Sequence, residues 1–185
     1  MNGDRVSGED DRKRFADVVM PHLRDAYSLA HWLTGNAADA EDVVQEACLR
    51  AFRAVGGHTG NARAWTLTIV RHTALSWLAK NRRHTVVAVE DLEAVERAQA
   101  LPGKNGAQVN TATAETELIA RADAARLETT IAALPSPFRE TLVLRDIQGL
   151  DYREIAQVTE VPIGTVMSRL ARARRRLIDA IGADG

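Results

Sequence analysis

The stretch Asp151–Leu177, DYREIAQVTEVPIGTVMSRLARARRRL, decides how this chain folds. Ile155 and Ala156 fall on the inner side of a first short helix, where the small Ala lets a second helix cross closely. Val161 fills the corner. Pro162 suits the first turn of the next helix, because the N–H it lacks would have no intrahelical partner there. Val166 and Leu170, four apart, face back onto the first helix. This is the pattern of a helix-turn-helix. Thr165, Met167, Ser168, Arg169 and Arg172 then point outward near the N-terminal end of the second helix, the end that such motifs place in the major groove. Arg174, Arg175 and Arg176 follow. Residues 162–181 hold five Arg against one Asp, a net charge of +4. A basic face alone would be an ordinary solvated helix surface; with the corner spacing as well, it predicts DNA binding.

The 185 residues around this stretch allow one domain or two small ones. Hydrophobic residues make up 45% of the chain, enough for a core, while aromatics are only 4% and five prolines interrupt long 3.6-residue periods. Alternating strand patterns are nearly absent, so the chain is all-α. The net charge of −1 conceals segregation. Residues 59–84 carry Arg63, Arg71, Lys80, Arg82 and Arg83 without an acid, whereas residues 88–120 carry six acids against Arg97 and Lys104. Two basic blocks flank an acidic one, which fits two surfaces for a polyanion and a spacer that avoids it.

Cys48 is the only cysteine, which excludes an internal disulfide and a cysteine-based metal cluster, and its place on an apolar stripe reads as a buried structural thiol. His22, His31, His58, His72 and His84 lack metal-ligand spacing, so no metal and no cofactor are expected. No apolar run nears the ~20 residues that span a bilayer, and MNGDRVSGEDDRKR at the start is polar and charged; a cytoplasmic protein is predicted. A Gly-rich phosphate loop and a nucleophile–base pair are both missing, so no catalytic residue is assigned and no enzyme is expected.

Along the chain, residues 1–11 read as a disordered N-terminus. Phe15, Val18, Val19, Leu23, Ala26, Tyr27, Ala30 and Leu33 keep helical spacing, interrupted by Pro21, up to Thr34. Gly35 is a stop and Asn36 a cap. The next helix, about 37–55, repeats apolar residues from Ala40 to Val55 over four turns. Its opposite face carries Asp42, Gln45, Glu46, Leu49 and Arg53, where Leu49 among polar groups marks a contact surface. After the loop GGHTGN (56–61), a helix from about Ala62 to Arg83 buries Leu67, Val70, Ala74, Trp77 and Leu78 and ends in Lys80, Arg82, Arg83 and His84. Those cations either complement the helix dipole or contact phosphates, with nearby aromatic and polar groups able to stack on unpaired bases. Residues 86–119 read as a flexible acidic linker. Helical spacing resumes from Glu117 to Leu134, Pro135 and Pro137 break it, Ser136 is available to cap the next helix, and Phe138, Leu142 and Leu144 lead to Gly149.

Two motifs carry a resemblance that covers roughly residues 12–84 and 120–181. ADAEDVVQEACLRAFRAV (38–55) is similar to the region 2 helix by which bacterial RNA polymerase sigma factors of the extracytoplasmic-function (ECF) group dock on the polymerase β′ clamp. Residues 134–177 closely resemble region 4 of that group, down to the run P-I-G-T-V-x-S-R-L-x-R-A-R. The resemblance implies a region 2 domain over 12–85 and a region 4 domain over 120–181. It also implies that Asp42, Gln45, Glu46, Leu49 and Arg53 contact core RNA polymerase. Arg63, Trp65, Arg71, His72, Ser76, Lys80, Arg82 and Arg83 would capture the melted −10 element of promoter DNA, and Thr165, Met167, Ser168, Arg169, Arg172 and Arg175 would read the −35 element. Residues near Leu142–Ile147 would meet the β flap. An anti-sigma factor is a further implied partner, and the exposed apolar residues fit one.

The chain departs from the family pattern at four places. His72 stands where Asn is common and Ser76 where Asp is common, which bears on −10 specificity. Met167 replaces a frequent basic residue and shifts the −35 readout toward Ser168, Arg169 and Arg172. Glu160 turns the helix corner where a small residue is usual, with modest strain. The competing reading, a sigma mimic that sequesters an anti-sigma factor without touching DNA, would have lost its basic recognition face; Arg169, Arg172 and Arg174–Arg176 argue against it. A two-domain regulator using the helix-turn-helix alone would leave the docking helix and the basic 62–83 segment unexplained.

Overall fold

The computed structural model describes the backbone of residues 3–85 and 114–182, with side chains for residues 9–81 and 123–182. Every regular element among them is helical. In the N-terminal half, α1 (Gly3–Val18) leads through a 3₁₀ turn at Met20–His22 into α2 (Leu23–Thr34), α3 (Ala37–Ala54) and α4 (Ala62–Thr85). In the C-terminal half come α5 (Ala114–Ala132), α6 (Ser136–Leu142), a π turn at Val143–Ile147, α7 (Tyr152–Thr159) and α8 (Ile163–Gly182).

The local signals act as expected at the first junctions. Pro21 lies in the 3₁₀ turn, where its missing N–H removes no ladder bond. Gly35 closes α2 in the left-handed region (φ 85°), its N–H bonded to the His31 carbonyl, and the Asn36 side chain accepts from the Asp39 N–H at 2.8 Å to start α3. The core of this half is made largely of small residues. Ala26, Ala30, Ala40, Ala47, Ala51, Ala64 and Ala74 are buried with Leu29, Val43, Leu67 and Val70, so α2, α3 and α4 approach closely. Leu78 and Trp77, expected on the α4 stripe, are only partly buried at its rim.

Helix α1 begins at Gly3, well before Arg12. Residues 4–11 carry few apolar side chains, so periodicity had nothing to register there. No proline interrupts the segment, and α1 lies along α3: Phe15 meets Phe52 edge-to-face at 5.7 Å, and Asp11 lies beside the Gly56 turn, where a Cβ would come within 3.4 Å of its carboxylate.

Similar local physics moves the start of the C-terminal half. Helix α5 opens at Ala114, inside the segment expected as linker, because Ala, Glu and Leu propagate a helix ahead of the first buried residue. Residues 86–113, the remainder of that expected linker, lie outside the described residues. Ser136 does not cap α6. Pro135 takes an extended conformation (ψ 139°) and its carbonyl accepts from Phe138 and Arg139 N–H at 2.9 and 3.0 Å, which places Ser136 inside the first turn. Past Leu142 the helix widens by one residue per turn, and Gln148 N–H reaches the Val143 carbonyl at 2.9 Å. The wide turn leaves the consecutive residues Thr141, Leu142, Val143 and Leu144 all buried. Gly149 (φ 72°) then reverses the chain.

The two halves pack on each other. Helix α4 lies against α7, and α2 against α6, so that Leu29, Leu67 and Val70 belong to the same apolar cluster as Leu144, Ile155 and Val166.

Candidate nucleic-acid and polymerase interfaces

The helix-turn-helix is built as its sequence specifies. Asp151 caps α7 with a complete capping box: its carboxylate accepts from Arg153 and Glu154 N–H at 2.7 and 2.8 Å, and the Glu154 carboxylate accepts from Asp151 N–H at 2.8 Å. The corner falls at Glu160, which adopts the left-handed conformation (φ 55°) with its N–H bonded to the Ala156 carbonyl. Pro162 sits one residue before the helix, and its carbonyl receives Thr165 and Val166 N–H. Val166, Leu170 and Ala173 are buried against α7 and α6. Their spacing turns Met167, Ser168, Arg172 and Arg175 to solvent, with Thr165 and Arg169 half-buried at the edge.

The remaining cations of α8 are already engaged. Arg174 grips both oxygens of Asp146, and that hydrogen bond holds its guanidinium pKa above the ordinary arginine value. Arg176 lies over the Phe138 ring, 5.3 Å from its centroid. The free basic surface is therefore narrower than the arginine count implies, and it centres on Arg172 and Arg175 beside the exposed Met167 and Ser168.

Asp42, Gln45, Glu46, Leu49 and Arg53 share the solvent side of α3, the face turned away from Ala40, Val43, Ala47 and Ala51. Leu49 is 55% exposed, and no buried neighbour explains it. Arg50 pairs with Glu46 at 2.8 Å along the same surface, and Phe52 at its edge meets Phe15 edge-to-face while remaining exposed. Cys48, expected to be buried, is half-buried between this face and the core. Burial pushes its thiol pKa upward, which disfavours the reactive thiolate.

The proposed −10 residues of α4 do not form one open surface. Trp65 lies tilted against His58 with ring centroids 4.5 Å apart, and Ser76 and Lys80 are exposed. Arg63 instead donates to Asp25 at 2.7 Å and to the Gln148 carbonyl at 2.6 Å. Arg71 forms an ion pair with Glu140, and His72 lies 3.0 Å from Glu160. The side chains of Arg82 and Arg83 lie outside the described residues.

Sequence reasoning missed the partners of these cations, Asp25 and the Gln148 carbonyl for Arg63, Glu160 for His72 and above all Glu140 for Arg71. A signal for Glu140 existed. It stands two residues before Leu142 and two after Phe138, on a short helix with little solvent-facing surface, and a charge in that setting needs a partner. Of the segment expected to meet the β flap, Leu142, Val143 and Leu144 are buried and Ile147 is exposed.

Comparisons with known proteins accord with this geometry. Residues 18–84 match the description of sigma-70 region 2, and residues 124–177 match sigma-70, region 4. The chain is 33% identical to the RNA polymerase sigma-H factor of Pseudomonas aeruginosa over 176 residues, covering 92% of this chain and 88% of the relative. It is 31% identical to the ECF RNA polymerase sigma-E factor of Escherichia coli K12 over 169 residues, covering 90% of this chain and 86% of the relative. In fold it is similar to the sigma factor RpoE from Bartonella quintana, solved in complex with the anti-sigma factor NepR, with a TM-score of 0.69, 22% identity, and coverage of 94% of this chain and 99% of that one. The chain belongs to the sigma-70 family, in its extracytoplasmic-function group. It is a transcription initiation factor, a class that binds core RNA polymerase and directs initiation at specific promoters. No described helix is long and apolar enough to cross a membrane, and no described cluster of His, Cys, Asp and Glu could hold a metal ion.

Proposed function

We propose that the two halves divide promoter recognition and polymerase binding as follows. The solvent face of α3, through Asp42, Gln45, Glu46, Leu49 and Arg53, docks on core polymerase. Helix α4 captures the melted −10 strand with Arg63, Trp65, Arg71, His72, Ser76, Lys80, Arg82 and Arg83. Helix α8 reads the −35 duplex with Thr165, Met167, Ser168, Arg169, Arg172 and Arg175, while the exposed Ile147 offers the region 4 contact to the β flap.

The observation that carries this reading is the coexistence of an exposed Leu49 on a polar helix face with a groove-sized basic end on α8. The first is a protein-docking signature and the second a duplex-binding one, and one chain with both links a polymerase to a promoter. The chain adds selection rather than chemistry of its own. An anti-sigma factor fits the exposed apolar residues Leu49, Phe52, Ile163, Met167 and Ile178, which a regulator can cover together with the polymerase- and DNA-binding faces.

Reconstituted transcription tests the reading: core RNA polymerase, this protein and a genomic promoter library, with the run-off products sequenced. Initiation that depends on this chain is expected, and it returns both promoter elements. Absence of core binding would support the mimic instead.

A further inference from the structure

We propose that the free chain pairs with a second copy of itself through α8, in an antiparallel, twofold arrangement. Ile163, Met167, Ala171, Arg174, Ile178 and Ile181 follow one another at steps of four, four, three, four and three residues, which sets them in one stripe along the whole of α8. All six are exposed. The stripe runs beside the buried row of Val166, Leu170 and Ala173 without belonging to it, and Ile178 is left 70% exposed. Four large apolar side chains in register, at both ends of one helix, make a contact surface rather than scattered surface residues.

What the stripe accepts follows from its symmetry and its charge. Ile163 and Met167 form an apolar patch at one end, and Ile178 and Ile181 form a second at the other. The pairs Ile163 with Ile181 and Met167 with Ile178 are centred on the same point, between Ala171 and Arg174. A second α8 laid antiparallel therefore sets each patch against the opposite patch of its partner, which is the isologous contact of a twofold dimer. The small Ala171 at the centre lets the two helices cross closely. Arg174 is the single charge in the stripe, and both oxygens of Asp146 already neutralise it. An identical surface thus meets it without burying an unpaired charge. The antiparallel direction also brings the positive end of one helix dipole beside the negative end of the other.

Thr165, Arg169 and Arg172 lie across the helix from the stripe, so pairing takes only Met167 from the −35 set. Ile147, itself exposed, follows Asp146 and so stands beside the centre of the stripe. A paired chain cannot present Ile147 to the β flap; this consequence, unlike the pairing itself, rests on the role given to Ile147 under Proposed function. Core polymerase and a second copy then compete for one surface. The contact is small, below about 1,200 Å² in total, the range of weak and transient complexes, so the dimer is expected to be reversible.

Sedimentation velocity of the full chain across a range of concentrations tests the pairing, and a concentration-dependent shift from monomer to dimer is expected. Ile178→Glu, at a site exposed in the single chain, should weaken dimerisation roughly tenfold or more, with helicity by circular dichroism unchanged. The geometry is read in a Cys48→Ser background from two single-cysteine variants, Met167→Cys and Ile178→Cys. Oxidised as a mixture, they should form the mixed disulfide in preference to either like-with-like disulfide. In an antiparallel pair the two copies of either position lie roughly 16 Å apart along the helix axis, beyond the reach of a disulfide. A chain that stays monomeric throughout would overturn the pairing and leave the stripe to another protein. Undiminished dimerisation of Ile178→Glu, or like-with-like crosslinks, would overturn it as well. Core polymerase added to the dimer is expected to capture single copies. A dimer that stays paired on core polymerase would overturn the competition, and with it the flap role of Ile147, while the pairing itself stands.

Discussion

Arg174 holds Asp146 through two hydrogen bonds, Nη2 to Oδ1 at 2.6 Å and Nε to Oδ2 at 3.2 Å, and so ties the middle of the recognition helix to the π turn that precedes the helix-turn-helix. Both side chains are well exposed, and such pairs contribute little to folding. Asp146→Ala is expected to change the unfolding free energy, read by urea titration, by no more than about 0.5 kcal/mol. Because Arg174 then becomes free, affinity for nonspecific duplex DNA should rise and its salt dependence steepen. An unaltered salt slope would show that Arg174 points away from the phosphates.

Arg172 is exposed on the same helix. Arg172→Ala should cost ~1–3 kcal/mol of discrimination at one −35 position. Run-off transcription from paired promoters differing at that position measures it. An equal loss at every promoter would mark Arg172 as a phosphate contact instead.

For the docking face, Gln45→Ala combined with Leu49→Ala should leave stability within about 0.5 kcal/mol, since both side chains are exposed. Retention on immobilised core polymerase should fall roughly tenfold or more. Unchanged retention would move the docking surface off α3.

Glu160 provides a stability test with the opposite sign. An L-residue in the left-handed region costs roughly 1 kcal/mol that glycine avoids, so Glu160→Gly should stabilise the chain by about that amount despite losing the exposed contact with His72. Thermal unfolding reads the result. Truncating a wholly buried side chain of the same motif, Ile155→Ala, should destabilise by about 2–5 kcal/mol.

Burial pushes the Glu140 carboxyl above the usual carboxylate range, outweighing the pull of Arg71 and the smaller pulls of Arg169 and His72. A group whose pKa is raised on folding adds stability that is fully present below its unfolded pKa and is lost as pH rises through the folded value. Glu140 should therefore add stability as the pH is lowered from neutrality toward the mildly acid range, read as the difference in urea midpoint between the protein and Glu140→Gln, while the depressed His22 acts with the opposite sign in both. A profile identical in the two proteins would assign the slope to other groups.

Most of the helical architecture was legible because it rests on short-range signals: the Asn36 cap, the Gly35 stop, and the period from Ala40 to Val55. The helix-turn-helix was readable from its spacing, while the corner at Glu160 came from the family resemblance. Which side chains of α3 and α8 face water followed from the same periods, since a buried Val166 or Ala47 fixes the exposure of its neighbours. What remained hidden depended on contacts between distant residues. Residues 4–11 became helical where periodicity is silent, and the π turn arose because Thr141 to Leu144 are all buried, which no single helical period allows. The pairing of Arg71 with Glu140 spans the two halves, and nothing in the spacing around either residue names the other. Cations that look available on a helical wheel were thus already occupied.

The double engagement of Arg71 and His72 constrains how this chain can diverge. A substitution at either position also removes a contact with the C-terminal half, so a change made there for any reason alters how the two halves hold together. Compensation has to come from the opposite half, at Glu140 or Glu160, and those four positions are expected to drift together as a linked set.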